Sequence, residues 1–418
     1  MAQLSDDCFA FGGELMPPAA ALALLKEKLS PVTEAERVPL KDAVGRILAE
    51  PLVATRDVPP ADNVAVDGYA VRFADLVPGG ETILPIAGRA AAGHPLRDEA
   101  PAQSAIRVFT GALLPQGTDT VLMQEDCKVA NGAVTIPAGI KRGANCREAG
   151  EDIKAGTLVL AAGRRLRAQE IGLAASLGLT SLAVYRPLRV ALFSTGDELR
   201  EPGDGLSLGA IYDANRYTLQ ALLQGLGAQV SDLGILADKP ETVRAALAEA
   251  AQTHDLVLTS GGMSTGEEDH VKAAVEALGK LHFWRLAIKP GRPVAMGQIG
   301  RVPFVGLPGN PVAVMVTFFL LARPLMLLLS GAVDPGPKLY RVRAGFDYKK
   351  RPNRTEYVRA RLVRDAEGGW IAEKFARDGA GILTSMVESD GLAEIAEGVT
   401  KVEPGMAVDF LPFSEVIP

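Results

Sequence analysis

Cysteine, histidine and tryptophan are scarce in this 418-residue chain, which holds three, four and two of them. Cys8, Cys127 and Cys146 form no CxxC pair and leave one thiol over. That argues against a disulfide framework or a thiolate zinc site and fits a reducing compartment. No HExxH can be written from His94, His254, His270 and His282. A basic excess is missing as well: 44 Lys plus Arg stand against 50 Asp plus Glu, a net charge of −6. Such a chain is a poor ligand for nucleic acid or anionic membrane, so affinity for phosphate must come from a local pocket. Long apolar runs are few. The most apolar, Val312 to Ala322, spans eleven residues and stops at Arg323-Pro324. It is too short to cross a bilayer and predicts a buried helix. The N-terminal MAQLSDDCFAFGGEL has acids where a secretory signal needs Lys or Arg, so a soluble cytoplasmic protein is expected.

What is present is an ordinary globular mixture, 48% hydrophobic and 22% charged, in a length that suggests two to four domains. Residues 18–30 carry apolar residues at helical spacing after Pro17-Pro18, and a second helical patch is predicted over Leu40 to Leu52. From 53 to 150 short β-branched runs alternate with Gly, Pro and Asn-Gly turns, the pattern of a small β-rich domain. Helical character returns at Ala168 to Leu177, which makes the β-rich piece an insertion. From 188 onward strand and helix alternate, with continuous apolar strands at Arg189–Phe193, Val230–Leu236, Leu256–Thr259 and Val302–Leu307. That alternation predicts a doubly wound, mostly parallel sheet covered on both faces. The predicted organisation is a multidomain α/β chain. Residues 1–52 and 151–187 form a helical/mixed N-terminal domain, 53–150 the inserted β-rich domain, 188–332 the α/β domain and 333–418 a C-terminal β domain.

Ligands of an open parallel sheet bind at the carboxyl ends of its strands. Three such ends are unusual here: Ser194-Thr195-Gly196-Asp197-Glu198, Ser260-Gly261-Gly262-Met263-Ser264-Thr265, and Pro308-Gly309-Asn310-Pro311. Glycines let backbone N–H groups approach an oxyanion, and the hydroxyls add donors. The middle segment is neither a dinucleotide GxGxxG nor a P-loop. Asp269 and Asp238 stand near helix starts, where capping and function are both open readings. Carboxylates beside a phosphate cradle repel unless a divalent cation lies between them, an arrangement that suits Mg²⁺. Arg285, Lys289 and Arg292 share one Pro/Gly-bearing loop and predict an anion site. In the last domain Arg359 and Arg361 fall on one strand face and read equally well as solvated charges.

Read together, the segments DNVAVDGYAVR (62–72), RVFTGALLP (107–115), REAGEDI (147–153), ALFSTGDEL (191–199), IYDANR (211–216), TSGGMSTGEEDHVK (259–272), IKPGRP (288–293) and GLPGNPVA (306–313) resemble the molybdopterin molybdenumtransferases, the family that includes the E domain of gephyrin. The likeness spans most of residues 15 to 330. It implies four domains, a homodimer with shared sites, and transfer of molybdenum from molybdate to adenylylated molybdopterin with release of AMP. It implies catalytic roles for Asp67, Thr110, Asp152, Glu198, Asp238, Asp269 and Lys289, with Glu198 and Asp269 holding Mg²⁺. Ser194, Thr195, Gly196, Ser260, Gly261, Gly262, Ser264, Arg285, Arg292, Pro308, Asn310, Pro311, Arg354 and Ser385 are the candidates for substrate, phosphate or molybdate binding. Arg285 departs from relatives with Lys after the Trp, exchanging a point charge for a planar fork. Two other readings share the architecture: adenylylation of molybdopterin, with handover between the two enzymes as the partner relationship, and a gephyrin-like scaffold.

Overall fold

The computed structural model describes residues 15–261 and 270–417. One compact unit takes the chain up to Glu50, Ala162–Arg167 and the described residues from Ser181 onward. The other comprises Pro51–Ala161 and Ala168–Thr180.

The centre of the first unit is a six-stranded sheet. Its elements are β1 (Arg189–Thr195), α1 (Ala214–Gly225), β2 (Gln229–Leu236), α2 (Pro240–Thr253), β3 (Leu256–Ser260), α3 (His270–Leu278), β4 (Gly279–Arg285), β5 (Ile288–Lys289), β6 (Pro293–Ile299) and β7 (Val302–Leu307), of which β5 lies outside the sheet. The order is β2-β1-β3-β7-β6-β4. The first four strands run parallel, and β6 is antiparallel to both neighbours. Alternate side chains point to opposite faces, so each apolar strand feeds two cores. Val190, Leu192, Leu256, Leu258, Val305 and Leu307 pack with Leu219, Leu222 and Leu223 of α1. Ala191, Phe193, Val257 and Phe304 pack with Val243 and Leu247 of α2 and Val271 and Val275 of α3. The doubly wound sheet predicted from the strand-helix alternation is present.

One helix differs from its expectation. The apolar run does not end at Arg323-Pro324: α4 continues through it and occupies Pro311–Leu329, nineteen residues of mean hydropathy 2.3. Proline lacks an N–H and its ring clashes with the carbonyl four residues back. The turn Phe318–Ala322 widens to a π-helix just before Pro324 and accommodates both. By length and composition this helix could cross a membrane, but all of it except Pro311 and Leu320 is buried inside the protein, against one face of the sheet.

The end of the first unit carries β8 (Tyr340–Ala344), β9 (Thr355–Arg364), β10 (Trp370–Lys374), β11 (Gly391–Ile395) and β12 (Ala407–Pro412). Their order β9-β10-β8-β12-β11, with β11 pairing back to β9, closes a small barrel around Val342, Val358, Ala360, Ala372, Ala393 and Phe410. Closure leaves the barrel with no free sheet edge in that ring. Strand β5 runs parallel to β9, pairing Ile288 with Thr355 and Lys289 with Glu356.

Toward the N-terminus the predicted first helix is found as Pro18–Lys28. The predicted helix over Leu40 to Leu52 is not. Only Leu40–Asp42 makes a turn of 3₁₀-helix, after which Gly45 adopts φ +80°. Ile47 then bridges to Arg165, Leu48 to Val184, and Leu52–Val53 pairs with Leu158–Leu160. Long-range backbone pairing has overridden a weak helical pattern.

The second unit is β-rich, as its turns predicted. Its six-stranded sheet includes Gly68–Val71, Thr82–Ala90, Ala105–Val108, Thr120–Met123 and Ala133–Ile136. Its cores lie on the two sides of that sheet, around Ala70, Ile106 and Val121, and around Tyr69, Leu84 and Leu122.

Candidate active site

After β1 the chain crosses to β2 on one side, then returns to β3 on the other. The strand order therefore reverses between β1 and β3, where the departing loops separate and open a crevice. Ser194 and Ser260 are paired neighbours at that point. Gly261 follows with φ +85°, and a Cβ there would lie 3.2 Å from the Thr195 carbonyl oxygen. Its N–H donates to the Leu307 carbonyl at 3.2 Å, joining the second glycine loop to the third.

The third loop is tied down by Asn215. Its Nδ2 donates to Ser260 Oγ at 2.9 Å and to the Gly309 carbonyl at 2.7 Å, while Ser260 Oγ donates to the Pro308 carbonyl at 3.2 Å. The helix that presents Asn215 is itself anchored. Asp213 caps it by accepting from the Arg216 N–H, and the buried Arg216 guanidinium pairs with Asp213, Glu201 and Asp232. The segment IYDANR signals the family in the sequence, but the role of its Asn215 depends on Ser260 and Gly309, 45 and 94 residues away.

A cleft of about 620 Å³ opens beside these loops. Glu198, Gly261, Pro308, Gly309 and Asn310 line it from the strand ends, and Lys289 and Gly291 from the β5 loop. The barrel supplies Tyr348, Glu356, Arg359 and Asp378. A smaller recess of about 90 Å³, lined by Thr195, Glu198, Tyr212, Asn215, Ser260 and Pro311, shares Glu198, Gly261 and Gly309 with it. Ser194 Oγ and Thr195 Oγ1 are buried without a hydrogen-bond partner.

The barrel wall is organised by Glu356, only 1% exposed. Its Oε1 accepts from Arg354 Nε at 2.7 Å and Arg354 Nη2 at 2.6 Å. Its Oε2 accepts from Tyr348 OH at 2.6 Å and from Lys289 Nζ at 3.3 Å. Burial alone would raise the pKa of this carboxyl, but the hydrogen bonds from Tyr348 and Arg354 and the nearby cations outweigh it and hold the group below its ordinary value. Arg359 is buried too, donating Nε to Ser385 Oγ at 3.0 Å and Nη2 to the Gly379 carbonyl at 3.2 Å. Burial lowers the pKa of its guanidinium from the ordinary value.

Of the residues singled out from sequence, Thr195, Glu198, Ser260, Gly261, Lys289, Pro308, Asn310 and Pro311 come together here. Arg285 and Arg292 do not line the cleft. They share their strand-loop through backbone contacts, the Arg285 carbonyl accepting from Met16 N–H and the Arg292 carbonyl from Leu286 N–H. Arg354 and Ser385 act behind the lining, on Glu356 and Arg359. Asp238 lies past the end of the edge strand β2, and the position capping α2 is Lys239, with no side-chain cap hydrogen bond. Gly196 sits with Glu198 close beside it. Gly262, Ser264 and Asp269 lie outside the described residues. Glu356, Tyr348 and Asp378 are cleft residues that carry no signal in the sequence, and Arg359, open there between a solvated charge and a role, lines the cleft with them.

In the second unit, Asp67 Oδ1 accepts from both the backbone N–H and the Oγ1 of Thr110, each at 2.8 Å. The Thr110 backbone hydrogen bond, then its hydroxyl, holds the Asp67 carboxyl below its ordinary pKa. Arg107 lies over the rings of Tyr69 and Phe109 and also favours the charged carboxylate. Asp152 is exposed on a turn whose N–H donates to the Val58 carbonyl.

Three family models match the chain between residues 16 and 413. The MoeA N-terminal region (domain I and II) matches residues 16–178, a probable molybdopterin binding domain 191–327, and the MoeA C-terminal region (domain IV) 341–413. A molybdopterin molybdenumtransferase of Haemophilus influenzae is 38% identical over 399 residues, covering 95% of this chain and 98% of that protein. One from a Nostoc species is 35% identical over 393 residues, covering 92% and 90%. The crystal structure of the molybdopterin biosynthesis moeA protein from Pyrococcus horikoshii superposes with a TM-score of 0.82 at 29% identity, covering 96% of this chain and 100% of that one. With glycine loops at the switch point of its sheet and homologous sequence over 95% of its length, the chain belongs to the molybdopterin molybdenumtransferase family of molybdenum cofactor biosynthesis.

Proposed function

We propose that this chain transfers molybdenum from molybdate to the dithiolene of adenylylated molybdopterin, with Mg²⁺-dependent cleavage of the phosphoanhydride and release of AMP. The observation that carries this reading is the cleft at the β1/β3 switch point. It joins an oxyanion-compatible glycine loop to Lys289 and Arg359 in one space of about 620 Å³. The lining holds no histidine or cysteine among the described residues. That suits phosphoanhydride cleavage, which relies on positioning and charge neutralisation more than on a protein nucleophile.

In this reading a magnesium ion shared with substrate is held by few protein ligands, of which Glu198 is the described one. Among the described residues no group of three or more His, Cys, Asp or Glu side chains is arranged for a metal. Mg²⁺ commonly takes one or two carboxylates and fills its other positions with water and substrate phosphates. Glu198, present in both the cleft and the recess, would hold it, with Asp269 as its expected companion. Bound there, the ion would neutralise phosphate charge. Gly261 would leave room for the phosphate oxygens, and Lys289 and Arg359 would balance the remaining anion.

The Asp67–Thr110 pair of the second unit acts, in this proposal, in a site shared between two copies of a cytoplasmic homodimer. The molybdopterin adenylyltransferase is the enzyme that hands over the substrate. The test is to supply the purified protein with adenylylated molybdopterin, Mg²⁺ and molybdate, and to follow AMP and active cofactor together. Joint appearance of both supports the proposal. ATP-dependent consumption of free molybdopterin would assign adenylylation instead, and binding without turnover would leave a scaffold.

A further inference from the structure

We propose that Glu356 is the positioning residue for Lys289, so that the C-terminal barrel sets the anion-binding cation of the sheet's own cleft. The inference rests on the cleft being the substrate's anion site. Lys289 stands on the two-residue strand β5, and its side chain is 52% exposed toward the cleft. A lysine with that much solvent access ordinarily samples many rotamers, at an entropy cost when it is fixed. Here two constraints converge on it. The backbone is held in register by β9, where Lys289 pairs directly with Glu356. The ammonium is held by Glu356 Oε2 at 3.3 Å.

Glu356 can serve as a fixed point because it is buried and both its carboxylate oxygens are hydrogen-bonded. It is 1% exposed, and Arg354 and Tyr348 hold both carboxylate oxygens from the barrel side. Arg354 and Lys289 bring two positive charges to one carboxylate, so the cluster keeps a net positive charge. The half-exposed member is Lys289, which is therefore the group left to meet an incoming phosphate. A buried carboxylate with one partner would be costly, whereas this one is fully hydrogen-bonded. Glu356 itself does not touch the ligand in this account. It acts through Lys289.

The test is a double-mutant cycle read by calorimetric binding of AMP with Mg²⁺. Glu356→Gln and Glu356→Asp are each made in the wild-type chain and in Lys289→Ala. Gln keeps the shape but removes the charge, and Asp keeps the charge but draws it back from the ammonium. In the wild-type chain we expect about tenfold weaker AMP binding for Gln and a smaller loss for Asp, while in Lys289→Ala each costs less than about twofold. Equal losses in both backgrounds would overturn the proposal, because Glu356 would then act on the fold or on the ligand independently of Lys289. An unchanged affinity in Lys289→Ala alone would overturn the cleft assignment and this inference with it. If Glu356→Gln does not fold by its thermal transition, the Asp pair decides the outcome on the same criterion.

Discussion

Asn215 Nδ2 lies 2.9 Å from Ser260 Oγ, and this one hydrogen bond joins the helix after β1 to the glycine loop after β3. The same nitrogen reaches the Gly309 carbonyl at 2.7 Å, so one amide ties the loops after β3 and β7 to helix α1. Removing it by Asn215→Ala should cost about 2 kcal/mol in stability, at about 1 kcal/mol for each of the two hydrogen bonds lost. The larger effect is expected on the cleft, as an increased KM for adenylylated molybdopterin with kcat less affected. Urea unfolding and steady-state kinetics check the two halves. A normal KM would separate the loop tie from substrate binding.

Asp67 is predicted to work as a permanently ionised group. Its pKa is depressed, so whatever the Thr110 hydrogen bonds contribute is present above the ordinary value of 3.8 and lost only as pH falls through the lower folded value. No limb of the activity profile between pH 5 and 8 should come from it. Asp67→Asn keeps an oxygen for the Thr110 N–H and should fold normally while losing activity. Thermal melting with AMP release measures both. Full activity in the Asn variant would show that the charge is not needed.

A distant ion cluster should govern acid stability. Asp255 accepts from Arg186 Nη1 at 2.6 Å and Nη2 at 2.9 Å, from the Arg189 N–H at 2.8 Å, and from Arg189 Nη2 at 3.1 Å. Burial pushes its pKa up, but these hydrogen bonds prevail and bring it down to about 2 from 3.8. A depressed carboxylate stabilises above its unfolded value, so this contribution is complete by about pH 5 and fades between about pH 4 and 2. It amounts to about 2 kcal/mol. Denaturant titrations at pH 6 and pH 3 should show the wild type losing more stability than Asp255→Asn on acidification. Equal losses would assign acid sensitivity elsewhere.

The shared-site proposal makes a complementation prediction. Chains carrying Asp67→Asn or Lys289→Ala, each inactive alone, should recover activity when mixed and allowed to exchange subunits. In a two-fold dimer one of the two sites would then contain neither substitution, giving up to about half of wild-type activity per heterodimer. Mass spectrometry verifies the heterodimers. Their presence without recovered activity would rule out a site built from two chains.

Much of the architecture is written locally. Apolar residues at i and i+2 in Val190, Leu192 and in Ala191, Phe193 announce a strand buried on both faces, and the two cores receive those sets separately. Leu219, Leu222 and Leu223 announce the helix face that covers one of them. The glycine loops are likewise visible, because their composition states the need for close backbone approach before any partner is known. Where local signal is weak, distant pairing decides. Residues 40–52 look helical by spacing, yet from Ile47 on they become bridges and strand because Arg165, Val184 and Leu158–Leu160 lie beside them. The run ending at Arg323-Pro324 looks like a helix stop and continues, because its surroundings are apolar enough to keep the whole helix buried.

The sequence by itself therefore determined the strand-helix order, the two-faced sheet, the glycine-bearing strand ends and the family. Only the tertiary structure decided which charges share the cleft. Arg359 sits on a strand where it reads equally well as a solvated charge, Glu356 carries no signal of its own there, and Lys289 lies 67 residues from Glu356 along the chain. Their meeting depends on β5 pairing with β9 and on the barrel closing behind it. The physical reason is one of range. Periodicity and turn chemistry act over a few residues, whereas burial and ion pairing depend on neighbours that folding alone brings together.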